Sequence, residues 1–199
     1  MNTRISSLGQ GNRSPVLRGA SIDPKQFRSV MGTFATGVAV IATEWSGELF
    51  GATINSLTSV SLEPCMLLVC TSEGSATGTA IRQRGFFSVN ILGQHQSELS
   101  ARFTGNQQNR FEDLAVAFSA DGLPLLQGAA AQLCCQVAAV HKAGDHDIIL
   151  GEVFSGEEIA CRPLVFHKGA YGSFQRVSRL AARGRMRATR TAVTRFQPS

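Results

Sequence analysis

Residues 53–65, TINSLTSVSLEPC, constrain this chain more than any other stretch. Five hydroxyls (Thr53, Ser56, Thr58, Ser59 and Ser61) and one amide (Asn55) are woven between Ile54, Leu57, Val60 and Leu62. The apolar run GVAVIATEW precedes the stretch, and MLLVC follows it after Pro64. It therefore joins two segments that read as buried strands, yet it carries more donors and acceptors than a core connection needs. Polar groups taken out of water have to be paired. A cluster this dense at a strand junction points to a ligand as the missing partner.

The 199 residues suffice for one domain with a sizeable core. No apolar run approaches the ~20 residues of a membrane-spanning helix, and the N-terminus lacks the basic patch and apolar core of a secretory signal. The formal charge of +5 misleads until it is divided along the chain. Residues 1–21 hold three arginines and residues 175–199 hold seven, with no acid in either segment. Residues 22–174 hold nine basic and fourteen acidic side chains, a formal charge of −5. The chain thus reads as a flexible leader (1–21), an acidic domain (22–174) and an Arg-rich tail (175–199). The basicity lies in the ends, so neither a specific nucleic-acid partner nor a membrane is expected. Arg176, Arg179, Arg183 and Arg187 would share one helical face of the tail. That face reads as a solubilising end or as a dock for an acidic surface.

Five cysteines show none of the spacings of a zinc site. Cys134 and Cys135, adjacent on an expected strand, point to opposite faces. Cys65 and Cys70 read as small buried hydrophobes, and a reducing cytoplasm fits this usage.

Asp23-Pro24 is a helix start, and Phe27, Val30, Met31 and Phe34 at helical spacing carry that helix to about residue 35. Strands are expected at 38–45, 49–55, 66–71, 86–92, 129–142, 146–159 and 163–167. Further helices are expected at 75–83, capped by Ser75, and at 94–103. Residues 105–121 read as an irregular loop, and Glu157-Glu158 as a solvated turn. Strands outnumber helices and do not alternate with them. This favours a closed, mostly antiparallel barrel with peripheral helices over a doubly wound sheet.

Six segments in order add a resemblance: RSVMGTFATGVAVIAT (28–43), GATINSLTSVSLEP (51–64), FFSVNIL (86–92), LPLLQGAAAQLCCQV (123–137), GDHDIILGEV (144–153) and PLVFHKGAYGSF (163–174). Together they resemble the short-chain flavin reductase family across roughly residues 23–174. One departure is Cys65, where many relatives carry a second proline. The resemblance implies an FMN-binding split β-barrel of antiparallel, Greek-key strands with peripheral helices. It also implies an NAD(P)H:flavin oxidoreductase that reduces FMN or FAD with NADH or NADPH and supplies a separate flavin-dependent monooxygenase. Such barrels bind flavin close to a two-fold interface, so a homodimer is expected. The alternatives are a flavin-binding module without turnover, or another split-barrel FMN oxidoreductase.

A flavin needs a polar edge for its pyrimidine ring, apolar walls and an anion site. Thr53, Asn55, Ser56, Ser59 and Ser61 with their backbone amides suit the first, although hydroxyl-rich turns also bond to themselves. Ser75, Ala76 and Thr77 at a helix start suit the anion site. Arg82 and Arg84 either assist there or are simply solvated. The resemblance adds Thr36, Ile54, Val60 and Asn90 to the cofactor set. It places the turn Gly144-Asp145-His146 by the nicotinamide, with His146 as the residue that positions it. A histidine can bond a carboxamide, and Asp145 and Asp147 would favour its charged form if near in space. Tyr171 and Phe174 either cap the barrel end or line the mouth of the site. No GxGxxG, P-loop or GxSxG is present.

Overall fold

The computed structural model describes residues 21–105 and 109–177. Almost all of the expected leader and most of the Arg-rich tail lie outside the described residues. In order, the elements are α1 (Pro24–Met31), β1 (Thr36–Gly37), β2 (Ala39–Trp45), β3 (Glu48–Ile54), β4 (Thr58–Leu62) and β5 (Cys65–Ser72). There follow α2 (Ala76–Arg84), β6 (Phe86–Ile91), α3 (Ser97–Arg102), β7 (Val116–Phe118) and β8 (Pro124–Leu126). The chain continues through β9 (Ala131–Ala143), β10 (His146–Glu158), β11 (Leu164–His167) and β12 (Ala170–Ser173).

Seven strands form one antiparallel sheet in the order β3-β2-β6-β9-β10-β5-β4. The chain crosses between its two halves from β3 to β4 and again, through α2, from β5 to β6. The first takes only residues 55–57 between the two edge strands, whereas the second is a long connection of the Greek-key kind. A three-stranded sheet, β1-β11-β12, and the β7-β8 pair flank it. The fold is a mostly β split barrel with peripheral helices. The expectation of closure is corrected: among the described residues no backbone ladder joins edge strand β3 to edge strand β4. Ser56, just past β3, spans part of the gap by side chain. Its Oγ accepts from the Cys70 amide at 3.0 Å and donates to the Cys70 carbonyl at 3.4 Å.

The 13-residue strands β9 and β10 are bent by two register shifts, at Leu150/Gly151 and Val153/Ser155. An extra residue on one strand of a pair bends it and increases its twist. Inside the bend lies a core of Ile41, Val69, Ile81, Phe87, Val89, Cys135 and Ile149, each wholly buried. A second cluster, around Val40, Leu92, Phe103, Leu126 and Leu164, packs under the small sheet. Asn90 is also fully buried. Its amide nitrogen donates to the Val40 and Pro124 carbonyls, and its oxygen accepts from the Leu126 amide and from Gln132. It thereby ties β6 to β8 at no desolvation loss.

Several expected boundaries move. α1 stops at Met31, where Gly32 caps it. The hydroxyl segment contains a strand of its own, β4, with Ser59 and Val60 exposed, Ser61 half-buried and a register shift at Ser59/Ser61. Glu157 and Glu158 end β10 rather than forming a turn. Cys65 is exposed, contrary to the expectation of burial, because it opens β5 directly at the tight turn from β4, opposite the exposed Leu62. Cys135 is enclosed, and burial pushes its thiol up to about 12.

At the first register shift Gly151 lets β10 cross Phe87. A Cβ there would lie 2.7 Å from Phe87 Cζ and 3.1 Å from Cys135 Cβ. Both neighbours are wholly buried and cannot yield. Gly151→Ala should therefore cost about 1–3 kcal/mol, read as a lowered midpoint in thermal or urea unfolding. An unchanged midpoint would show that the bend tolerates repacking.

Candidate active site

A solvent-open cavity of about 1540 Å³ lies between the face of β3, the end of β5, the start of α2 and the segment after α3. Pockets for one small molecule run to roughly 300–1,000 Å³, so this space accommodates two ligands side by side. Its apolar walls include Phe50, Ala52, Ile54, Phe103 and Phe111. The edge-to-face pair Phe103–Phe111, 4.9 Å between centroids, is possible because residue 51 is glycine. A Cβ there would meet Phe103 at 2.7 Å and Phe111 at 2.9 Å.

The structure gathers Thr53, Ile54, Asn55, Ser56, Ser75, Ala76, Thr77 and His146 on this cavity. Two of the hydroxyls are already engaged: Thr53 donates to the Ser100 carbonyl at 2.7 Å, and Ser56 bonds Cys70. The Thr53 amide is spent as well, donating to the Phe103 carbonyl at 3.0 Å, whereas the exposed Asn55 faces the cavity.

At the opposite wall Ser75 caps α2 by accepting from the Gly78 amide. Ahead of it, the turn carrying Asp145 and His146 is docked on the loop after β5. The Glu73 amide donates to the Asp145 carbonyl at 3.0 Å, and Lys142 pairs with Glu73. His146 Nδ1 lies 2.9 Å from Asp145 Oδ1, and its Nε2 lies 3.5 Å from Ser72 Oγ. The imidazole beside Asp145 holds that exposed carboxyl below the usual carboxylate range, with a backbone hydrogen bond adding to it. Asp147, expected as a second neighbour of His146, instead pairs with Arg82 at 2.5 Å. Arg84 pairs with Glu44, so neither arginine is merely solvated.

The remaining candidates lie off this cavity. Ser59, Val60 and Ser61 are on β4, Asn90 is in the core, and Gly144 and Asp145 are beyond the rim behind His146. Thr36 is on β1, with a buried Oγ1 that has no hydrogen-bond partner. Phe174 is exposed past β12, and Tyr171 OH bonds Ser100 Oγ at 2.8 Å, its ring tilted against Phe166 with centroids 5.5 Å apart. Ser100 thus links Tyr171 to Thr53, and so to the cavity wall. Sequence reasoning passed over Thr71, Phe103, Arg110 and Phe111, all on the lining. Aromatic residues inside an otherwise polar stretch were the available signal for Phe103 and Phe111.

Residues 31–175 match the family model described as a flavin reductase like domain. The chain belongs to that family. Among its relatives is the reductase subunit HsaB of a flavin-dependent monooxygenase from Mycobacterium tuberculosis, 39% identical over 155 residues, covering 76% of this chain and 83% of the relative. The FMN reductase (NADH) SmoA of Agrobacterium fabrum is 38% identical, covering 76% and 87% respectively. The solved flavin reductase PheA2 superposes with a TM-score of 0.73 at 39% identity, over 78% of this chain and all of that one.

The residues of this flavin reductase fit a flavin. Apolar walls flank a row of backbone groups, and the buried Thr71 Oγ1 on the lining lacks a partner. Ser56 is scaffold as well as lining. Ser56→Ala should strand the buried Cys70 amide and cost about 1–3 kcal/mol, seen as earlier unfolding and faster exchange of the Cys70 amide. A melt equal to wild type would exclude Ser56 as the bridge across the split.

Proposed function

We propose that this reductase oxidises NADH, transfers the hydride to FMN or FAD, and passes the reduced flavin to a separate flavin-dependent monooxygenase. The observation that carries it is a cavity with room for donor and acceptor together, in a chain of the flavin reductase family. The names of relatives support the partner and the donor: one is a monooxygenase reductase subunit and another an NADH-dependent FMN reductase.

A bound flavin supplies the hydride acceptor. The chain's own part is to bind and orient. Backbone groups of residues 53–56 face the polar edge of the ring, and the first turn of α2 holds an anionic side chain. His146, steadied by Asp145 and Ser72, bonds the carboxamide of the donor and sets its face toward the acceptor. At that end the cations are already paired, Lys142 with Glu73 and Arg82 with Asp147, and Asp145 adds an exposed carboxylate.

Assays of the purified chain with each nucleotide and each flavin test the reading, and no flavin-dependent oxidation with either nucleotide would end it. His146→Ala should raise KM for NADH by about tenfold to a hundredfold with flavin affinity and melting point retained. A well-folded His146→Ala protein with wild-type nicotinamide kinetics would remove this residue from the site.

A homodimer completes the proposal. α1 buries none of its residues, and Phe27, Val30 and Met31 are about half exposed, with Phe34 at 70%. Leu62 on edge strand β4 is 81% exposed. Exposed apolar surface and an open sheet edge each call for a cover, and a second copy supplies one symmetrically. Sedimentation should give twice the chain mass, and Leu62→Lys should shift it toward the monomer. A monomeric wild type across a wide concentration range would refute this part.

A further inference from the structure

Ser100 is wholly buried on α3, and its hydroxyl reaches across to β12, where it bonds Tyr171 OH at 2.8 Å. Among the described residues this is the one partner of its Oγ. Neither residue lines the cavity, so neither touches what the cavity holds. A hydroxyl taken out of water needs a partner. An alanine would fill the same helix position with no such need.

What α3 holds is one bank of the cavity. β3 is an edge strand, and the end of α3 stands where its outer neighbour would be. The Thr53 amide donates to the Phe103 carbonyl at 3.0 Å, and the Thr53 hydroxyl donates to the Ser100 carbonyl at 2.7 Å. That carbonyl is open to a hydroxyl because the helix tightens there: the Thr104 amide turns to the Ala101 carbonyl instead, at 3.1 Å. Two residues after Thr53, Asn55 faces the cavity. α3 has only six residues, and a helix this short takes its position from its tertiary contacts. Gln96 fixes its start, accepting from the Gly93 amide and donating to the Gln127 carbonyl, both at 2.8 Å. Leu99 and Phe103 pack it onto the second core cluster, but apolar contact is not directional. The bond from Ser100 to Tyr171 is directional, and the Tyr171 ring is itself seated against Phe166.

We propose that Ser100 and Tyr171 are positioning residues for flavin binding: their bond sets the end of α3 against Thr53 and so holds the strand end that presents Asn55 to the cavity. This rests on the flavin reading of the cavity and deepens it. Tyr171 then acts through Ser100 and not by contact with the ring. The donor is held on the other bank, at His146, so the pair acts on the flavin alone.

Steady-state kinetics of the full chain with FMN and NADH each varied, beside a thermal melt and hydrogen exchange of the Thr53 amide, test this. Tyr171→Phe keeps the ring on Phe166 and removes only the oxygen. It should raise KM for FMN about threefold to tenfold, speed exchange at Thr53 and leave KM for NADH as in wild type. Ser100→Ala should do the same, and the double variant should go no further, because two residues acting as one unit do not add. A rise with Tyr171→Phe but not with Ser100→Ala would overturn the proposal by placing the phenol on the ligand itself. Effects that multiply in the double variant would also overturn it. Equal rises for FMN and NADH, or a lowered melt with KM for FMN unchanged, would reduce the pair to scaffold and overturn it too. Should Ser100→Ala not fold, Ser100→Cys carries the same comparison. A wild type that binds no flavin would overturn the flavin reading and this proposal with it, whereas a wild type that binds flavin beside unaffected variants would overturn the positioning role alone.

Discussion

The bend in the β9-β10 pair is the constraint on which the rest of the molecule depends. Two register shifts curl a seven-stranded sheet far enough for its two halves to face one another across the core. The curl works only because β10 presents a bare Cα to Phe87 at Gly151. With Phe87 seated there, Val69, Val89 and Ile149 close around it, and β3 and β5 become the two banks of one cavity. Apolar burial at ~25 cal/mol per Å² provides the drive. The bulges provide the shape.

A sheet that curls without closing leaves a gap, and polar side chains occupy it. Ser56 replaces a missing strand partner for Cys70, and Thr53 reaches Ser100, which in turn holds Tyr171. The hydroxyl-rich stretch therefore does two jobs. Some of its side chains knit the split together, which turns their backbone groups toward the cavity as a rigid edge. A ligand bound to such pre-set groups loses less freedom than one bound to mobile hydroxyls.

Charge around the cavity is paired in the same economical way. Arg82–Asp147, Lys142–Glu73 and Asp145–His146 all tie the β9-β10 hairpin to the β5-α2 region or to its own turn. Exposed pairs of this kind contribute little stability. Their effect is positional: they fix His146 on the wall that also carries the start of α2.

Much of this was legible in the chain. Alternating apolar strands, the Asp23-Pro24 start, the Ser75 cap and the order of six segments determined the class of fold and the family, because these signals are local or collinear. Ser75, Ala76, Thr77 and His146 line one cavity with residues 53–56. What only the tertiary structure decided depends on distant neighbours. Short strands such as β4 and β12 carry too few residues for periodicity to show. Asn90 and Thr71 are both buried polar residues on central strands, indistinguishable by pattern. Asn90 meets Leu126 and Gln132 and is satisfied, whereas the Thr71 hydroxyl lies against Gly78 at the start of α2 without a hydrogen-bond partner. Whether a polar group is spent on the fold or left for a ligand is set by what the folded chain brings beside it.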